Sequence, residues 1–304
     1  MTNYRYLIVG GGVAGISALH ALKDLKKDSL LLLEARDEPM YTLTWMRHIP
    51  FGRDGYESTG FDFRKSLMAR SSGLIESGDI RLGTRVFNID LSSRTVYARS
   101  PEGERLSIKY DILIFAAGAT QIVYGESLLP GVRPGRLFSV YQVGEMLAHY
   151  DFLPGRRLVL YGASVYTAET AISASRKGIK CTVVSPGDAS WKVYARAESI
   201  NLYENCILKQ VLGDASFSGL LVQQGSNEFC VRGDSLAVDG DYVLEHVWRE
   251  HLGVEWNLEE WRVDLRDEEM MERKLIFLGD ARKPEVDFVK QYEQSQQVIR
   301  RLLG

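Results

Sequence analysis

Residues 6–17 read YLIVGGGVAGIS and residues 158–171 read LVLYGASVYTAETA, and these two stretches decide the fold. Each is an apolar run of four residues, then a turn of small residues, then an amphipathic helical pattern. A second apolar strand follows each one, LLLLE at 30–34 and CTVVS at 181–185. Near-continuous apolar strands suit a parallel sheet covered on both faces, so each stretch predicts a β-α-β unit. Two such units predict an α/β chain with two Rossmann-like domains.

Outward from these units the rhythm changes. Residues 81–116 contain RLGTRVFNIDL, RTVYARS, RLSIKY and DILIFAAG, short runs separated by turn signals that predict an antiparallel meander. A smaller meander is predicted from 206–210, 219–224 and 234–239. The tail returns to a strand, KLIFLGD at 274–280, and a closing helix from about 287 to 303. This order divides the chain into a discontinuous domain, 1–120 plus 268–304, and an inserted domain, 121–267. The 304 residues suit two domains of about 150 each.

Composition narrows the class. Hydrophobic residues make up 45% and charged residues 25%, which excludes disordered and collagen-like chains. Lys and Arg number 37 against 40 Asp and Glu, a net charge of −3 with no basic footprint for nucleic acid. No apolar run approaches the ~20 residues of a membrane helix, and the first residues lack a signal-peptide pattern. The expectation is a soluble, cytoplasmic protein. Cys181, Cys206 and Cys230 form no C-x-x-C and no metal-ligand spacing, so all three read as inert core thiols. The five histidines form no H-x-x-x-H pair, and no metal site is predicted.

Gly10, Gly12 and Gly15 form G-x-G-x-x-G directly after a strand and at the opening of a helix. Glycine there permits the tight turn, close backbone approach to a pyrophosphate, and close helix–strand packing. Free N–H groups at the helix N-terminus would receive the phosphates. Glu34 ends the second strand, 24 residues after Gly10, where a carboxylate accepts hydrogen bonds from ribose hydroxyls. Ala117-Gly118 ends another strand, a place suited to close approach of a cofactor. Asp280 follows a glycine at the end of the last strand.

In this order of motifs the chain resembles the FAD-dependent pyridine-nucleotide oxidoreductases, the glutathione-reductase-like flavoproteins with two dinucleotide domains. The resemblance implies an FAD pyrophosphate at Gly10, Gly12, Val13, Ala14 and Gly15, with the adenosine ribose at Glu34, Ala35 and Arg36. It implies further that the Val86 strand (TRVFNID) presents backbone to the adenine, and that Ala117 and Gly118 approach the cofactor. Asp280 would bind a ribitol hydroxyl, and the helix beginning near Phe288 would point its N-terminus at the flavin ring.

The departures are informative. Residues 39–52, PMYTLTWMRHIPFG, hold no redox cysteine, which excludes a disulfide reductase of the usual design. That segment is similar to the ferredoxin- and rubredoxin-reductase branch, with Tyr41 matching and His48 standing at the branch's lysine. Glu169 stands at that lysine's glutamate partner, so His48 and Glu169 become the candidate catalytic pair. The segment LGDARKPEVDFVKQYEQ is similar to flavoprotein subunits of amine, opine, proline and glycerol-3-phosphate oxidation. Such subunits often work in hetero-oligomers, and homo- or hetero-oligomerisation stays open. The second glycine motif becomes Gly162-x-Ser164-x-x-Thr167, with a side chain where a pyrophosphate wants bare backbone. The implied function is an FAD-dependent oxidoreductase taking hydride from NAD(P)H at flavin N5. Electrons then pass to a small molecule or redox protein. The alternative is an FAD-containing subunit or regulatory flavoprotein with a degenerate nicotinamide site, served by a partner dehydrogenase chain.

Overall fold

The computed structural model describes residues 2–51, 58–121, 129–150, 152–244, 246–257, 262–285 and 287–304. Strand β1 (Thr2–Val9) leads through helix α1 (Val13–Asp24) to β2 (Leu30–Leu33), which pairs with β1 in parallel. All four leucines of β2 are buried, as a strand covered on both faces requires. Helix α2 (Gly60–Glu76) and strands β3 (Ile80–Arg81), β4 (Arg85–Asp90), β5 (Thr95–Arg99) and β6 (Arg105–Phe115) follow. The second β-α-β unit is β8 (Arg157–Tyr161), α4 (Val165–Arg176) and β9 (Lys180–Val184), preceded by β7 (Leu137–Ser139) and α3 (Val140–His149). Then come β10 (Asn201–Tyr203), β11 (Cys206–Gly213), β12 (Phe217–Gln224), β13 (Asn227–Arg232) and β14 (Ser235–Val238). The chain ends with β15 (Leu275–Phe277) and α5 (Phe288–Leu303).

The first sheet runs β3-β2-β1-β6-β5-β4, with β15 also on β6; the second runs β7-β14-β8-β9-β10. Every pairing in the second sheet is parallel. RLSIKY and DILIF form one continuous strand, β6, rather than two. No turn residue separates Tyr110 from Asp111, so β6 pairs antiparallel with β5 and parallel with β1 and β15. The smaller meander also differs from expectation. Its third strand is β13, while Ser235–Val238 is the parallel strand β14 between β7 and β8. All four of its side chains are buried, which an alternating meander strand does not permit.

One hydrophobic core joins the two sheets, and a smaller one lies under the meander around Val159, Phe217, Leu220 and Leu236. Helices α1 and α5 lie against each other, and buried His20 ties α1 to both its neighbours. Its ring nitrogens meet the Tyr292 hydroxyl and Ser71 Oγ, each at 2.9 Å, and burial pushes its pKa down to about 4. Cys181 and Cys206 are buried, but Cys230 is exposed on β13, so the core reading fails for it. Among the described residues no helix is long and apolar enough to cross a membrane, and no His/Cys/Asp/Glu group could hold a metal.

Candidate functional site

A cleft of about 680 Å³ opens beyond the carboxyl ends of β1, β6 and β15, within the range of ligand pockets. From β1 the chain goes to β2 on one side and to β6 on the other, so the cleft lies at a topological switch point. Its floor is the turn between β1 and α1. Gly10 has φ +104, and a Cβ there would stand 2.3 Å from the Ala116 carbonyl oxygen. A Cβ on Gly15 would stand 1.9 Å from the Gly10 carbonyl oxygen. Both are glycine because the protein's own backbone leaves no room.

Gly12 is different. It is the N-cap of α1 with ordinary extended dihedrals, and a Cβ there would meet nothing within 4 Å. No side chain caps α1, and its first turn holds no acid. Bare backbone and uncapped N–H groups facing an open cleft suit an anion that approaches closely.

The other walls are polar at both ends. Glu34 accepts from Gly11 N and, at 2.7 Å, from Arg36 N, which fixes its carboxylate at the rim. Arg36 lies over the Tyr41 ring and pairs with Glu145 at 2.8 Å. At the far end Asp280 accepts from Gln291 Nε2 at 2.7 Å and from Glu285 N at 3.0 Å. Burial pushes its pKa up to about 6. Phe288, at the start of α5, and the ring of Tyr141 complete that end. Asp287 caps α5 through Lys290 N at 3.0 Å.

A model of the pyridine nucleotide-disulphide oxidoreductase family matches residues 4–200. The chain belongs to that family. The ferredoxin–NAD(+) reductase subunit of a benzene 1,2-dioxygenase system from Pseudomonas putida is 22% identical over 225 residues, 72% of this chain and 47% of that protein. An FAD-dependent monooxygenase from Nectria sp is 25% identical over 169 residues, 42% of this chain and 39% of that protein. The chain thus spans less than half the length of either relative. Among solved structures, L-proline dehydrogenase from P. horikoshii superposes with a TM-score of 0.72 at 17% identity, covering 99% of this chain and 55% of that one. Bacillithiol disulfide reductase from Bacillus cereus gives 0.69 at 13% identity, covering 99% of both chains. The architecture is the family's, an α/β fold with two Rossmann-like domains.

FAD, the family's cofactor, fits this cleft, and Gly12 is the observation that tests it. Packing explains Gly10 and Gly15, whereas nothing in the protein requires a glycine at Gly12, whose open space faces the cleft as a closely approaching ligand needs. Gly10, Gly12, Val13, Ala14, Glu34, Arg36, Ala117, Gly118, Asp280 and Phe288 all line the cleft. Gly15 lies beneath it. Ala35 and Val86 do not line it, and Val86 is buried within β4. Sequence reasoning missed Tyr141, Gln142 and Tyr242, which carry no local motif, and Met40 and Gln291, which lie within quoted segments but were not singled out.

His48 and Glu169 do meet: Nδ1 and a carboxyl oxygen are 2.8 Å apart. Glu169 also accepts from the backbone N–H of Arg47 at 3.0 Å and of His48 at 2.8 Å, and from that of Ile49. Neither residue lines the cleft, and Glu169 has no exposed surface. The pair fastens α4 of the second sheet to the 47–49 segment of the first.

The second glycine turn is closed from within. Ser164 caps α4 by accepting from Tyr166 N at 3.1 Å. The Asp239 carboxyl accepts from Ser164 N at 3.0 Å and from Thr167 Oγ1 at 2.8 Å. An NAD(P)H pyrophosphate therefore does not fit this turn as it stands.

Asp280 gives a pH-dependent expectation. Its folded pKa of about 6 lies above the ordinary 3.8, so between about pH 4 and 6 the folded protein without FAD holds a proton that the unfolded chain releases. Stability from this group is therefore full at low pH and falls as pH rises through 6, by up to about 3 kcal/mol. Asp280→Asn should melt higher than wild type at pH 7, keep about a third of that advantage at pH 4.5, and lose it near pH 3. An equal difference at all three values would remove burial of this carboxyl as the cause.

Proposed function

We propose that this oxidoreductase binds FAD in the cleft and exchanges a hydride at flavin N5, passing electrons to an acceptor that is not a disulfide. The bare backbone of Gly12, facing the cleft between Glu34 and Asp280, is the observation that carries the reading. FAD supplies the two-electron chemistry when bound; the protein supplies binding, orientation and electrostatics. In this reading the N–H groups at the start of α1 hold the pyrophosphate, and Glu34 accepts from the adenosine ribose. Asp280 accepts from a ribityl hydroxyl, and its raised pKa means that this acceptor is fully available only above about pH 6. Phe288 and Tyr141 wall off the flavin end from water. His48 and Glu169 act on the site by positioning residues 47–49.

The donor divides the proposal into two readings. NAD(P)H is the family's donor. The second reading is an FAD-containing subunit reduced by a partner dehydrogenase chain or a small organic substrate, and the Asp239 carboxyl at the N-terminus of α4 favours it. A cytoplasmic location belongs to the same proposal, in keeping with three free cysteines.

Anaerobic titration of FAD-loaded protein, followed at the flavin absorption band, tests both readings. We expect little bleaching by micromolar NADH or NADPH, and full bleaching by dithionite. Rapid bleaching by either nicotinamide at that concentration would establish the first reading over the second. Protein that cannot be loaded with FAD at all would overturn the whole assignment.

A further inference from the structure

The two glycine turns of this chain are built alike, which allows one to be read against the other. Gly10 N donates to the Leu33 carbonyl of the neighbouring strand at 2.9 Å, and Gly162 N donates to the Val184 carbonyl at 3.0 Å. On the other side, Ala116 N donates to the Val9 carbonyl, and Asp239 N donates to the Tyr161 carbonyl, both at 2.8 Å. Gly12 and Ser164 are the N-caps of α1 and α4. Asp239 therefore occupies, in the second unit, the position that Ala116 occupies in the first. A methyl group in one turn is replaced by a carboxyl group in the other.

That carboxyl points into the cradle. One oxygen takes the N–H of Ser164 and the hydroxyl of Thr167; the other takes Gln121 Nε2 at 2.9 Å. A Cβ on Gly162 would stand 2.2 Å from the Asp239 Cβ, so this turn is shaped around the aspartate. The Ser164 hydroxyl meanwhile takes the N–H of Tyr166. The donors that an uncapped α1 leaves to a ligand are, on α4, taken by the protein's own oxygen atoms. Burial raises the Asp239 pKa and the bonds from Ser164, Thr167 and Gln121 oppose that rise, the pattern of a carboxyl group held in an anion seat.

We infer that Asp239 is an internal substitute for the dinucleotide pyrophosphate, and that it sets the affinity of the second unit for NADH and NADPH by occupying their seat. The inference deepens the proposed function, because it assigns the choice of electron donor to one side chain. Two anions cannot share the α4 N-terminus, so a dinucleotide enters only when Asp239 leaves. Its departure also removes one of three bonds of Gln121 Nε2, a side chain that lines the FAD cleft and bonds also to the Gly240 carbonyl and the Tyr242 hydroxyl, each at 3.2 Å. Closure of the second seat and the wall of the first are thereby joined.

The test is calorimetric binding of ADP-ribose, NADH and NADPH to FAD-loaded wild type, Asp239→Ser and Asp239→Asn. Asn keeps the shape and removes the charge; Ser removes both. Wild type should bind each probe with a Kd near or above ~1 mM, and each variant should bind at least tenfold tighter, about 1.4 kcal/mol. Melting curves establish that a variant is folded, and Asn decides the matter if Ser does not fold. Micromolar binding by wild type, or folded variants that bind no tighter, would overturn the inference. The flavin absorbance of the same samples reports FAD binding separately, so failure here is distinguishable from failure of the FAD assignment.

Discussion

Gly12→Ser should fold as wild type does and lose FAD, whereas Gly15→Val should not reach the native fold. The two glycines sit three residues apart in one motif, yet the structure gives them different reasons. A side chain on Gly15 runs into the Gly10 carbonyl oxygen, a backbone atom that cannot move without shifting the strand–helix turn. Overpacking of that kind costs 1–3 kcal/mol in ordinary cores and more where only backbone can yield, so ~3 kcal/mol or above is expected for valine. Gly12 has open space above it, and serine is among the best N-cap residues, so the α1 terminus itself should not suffer. The apoprotein melting temperature of Gly12→Ser should stay within about 2 °C of wild type. What changes is the surface offered to a pyrophosphate: a hydroxymethyl group now stands on it, and its oxygen takes an N–H, as Ser164 does on α4. FAD affinity, measured by quenching of flavin fluorescence, should fall at least 100-fold, about 2.7 kcal/mol. Wild-type affinity in Gly12→Ser would show that the cleft is not built around a phosphate at this point.

Glu169→Ala should be strongly destabilising. It leaves the backbone N–H groups of Arg47, His48 and Ile49 without an acceptor, that of Ile49 in a buried place and the other two half-buried, and frees the His48 ring as well. Removing one partner from a buried, hydrogen-bonded charged group typically costs 3–5 kcal/mol. For a chain of this size that corresponds to a fall of roughly 5–8 °C in melting temperature. Glu169→Gln keeps one acceptor oxygen and should lose about half as much, on the order of 2 kcal/mol. His48→Ala removes a single hydrogen bond and should cost no more than ~1–2 kcal/mol. If the pair instead takes part in catalysis, His48→Ala will slow flavin reduction by whichever donor proves active while leaving the melting temperature unchanged. That result would replace the fastening role described here.

Much of the fold is legible along the chain because parallel strands buried on both faces write themselves as unbroken apolar runs. LLLL at 30–33 and LVLY at 158–161 could be placed on that ground alone, and the glycine spacing fixed where α1 begins. The misreadings have equally local causes. DILIF was separable from RLSIKY only by assuming a turn at Tyr110-Asp111 that no Gly, Pro or Asn supports. SLAV at 235–238 follows two alternating strands and so reads as their continuation, although its own apolar LAV does not alternate, the pattern of a buried parallel strand. Cys230 reads as apolar in isolation and faces solvent because NEFCVR alternates about it. At the site, Gly10, Glu34 and Asp280 announce themselves by their place at strand ends. Tyr141 and Tyr242 do not, since each belongs to an ordinary stretch that reaches the cleft only through the packing of other elements.

The sequence by itself determined two dinucleotide-type units, the absence of a redox cysteine pair, and a damaged second glycine motif. Local chain geometry suffices for these, because a turn, a strand and a helix N-terminus are specified by residues within a few positions of one another. Only the tertiary structure decided what the damage means. Asp239 is 75 residues from Ser164 and 118 from Gln121, and it reaches both because β14 inserts beside β8. The same physics separates Gly12 from its neighbours in the motif: whether a missing side chain makes room for the protein or for a ligand depends on what lies across the turn. That is set by the sheet order, which brings β6 up against Gly10 and leaves the space above Gly12 open.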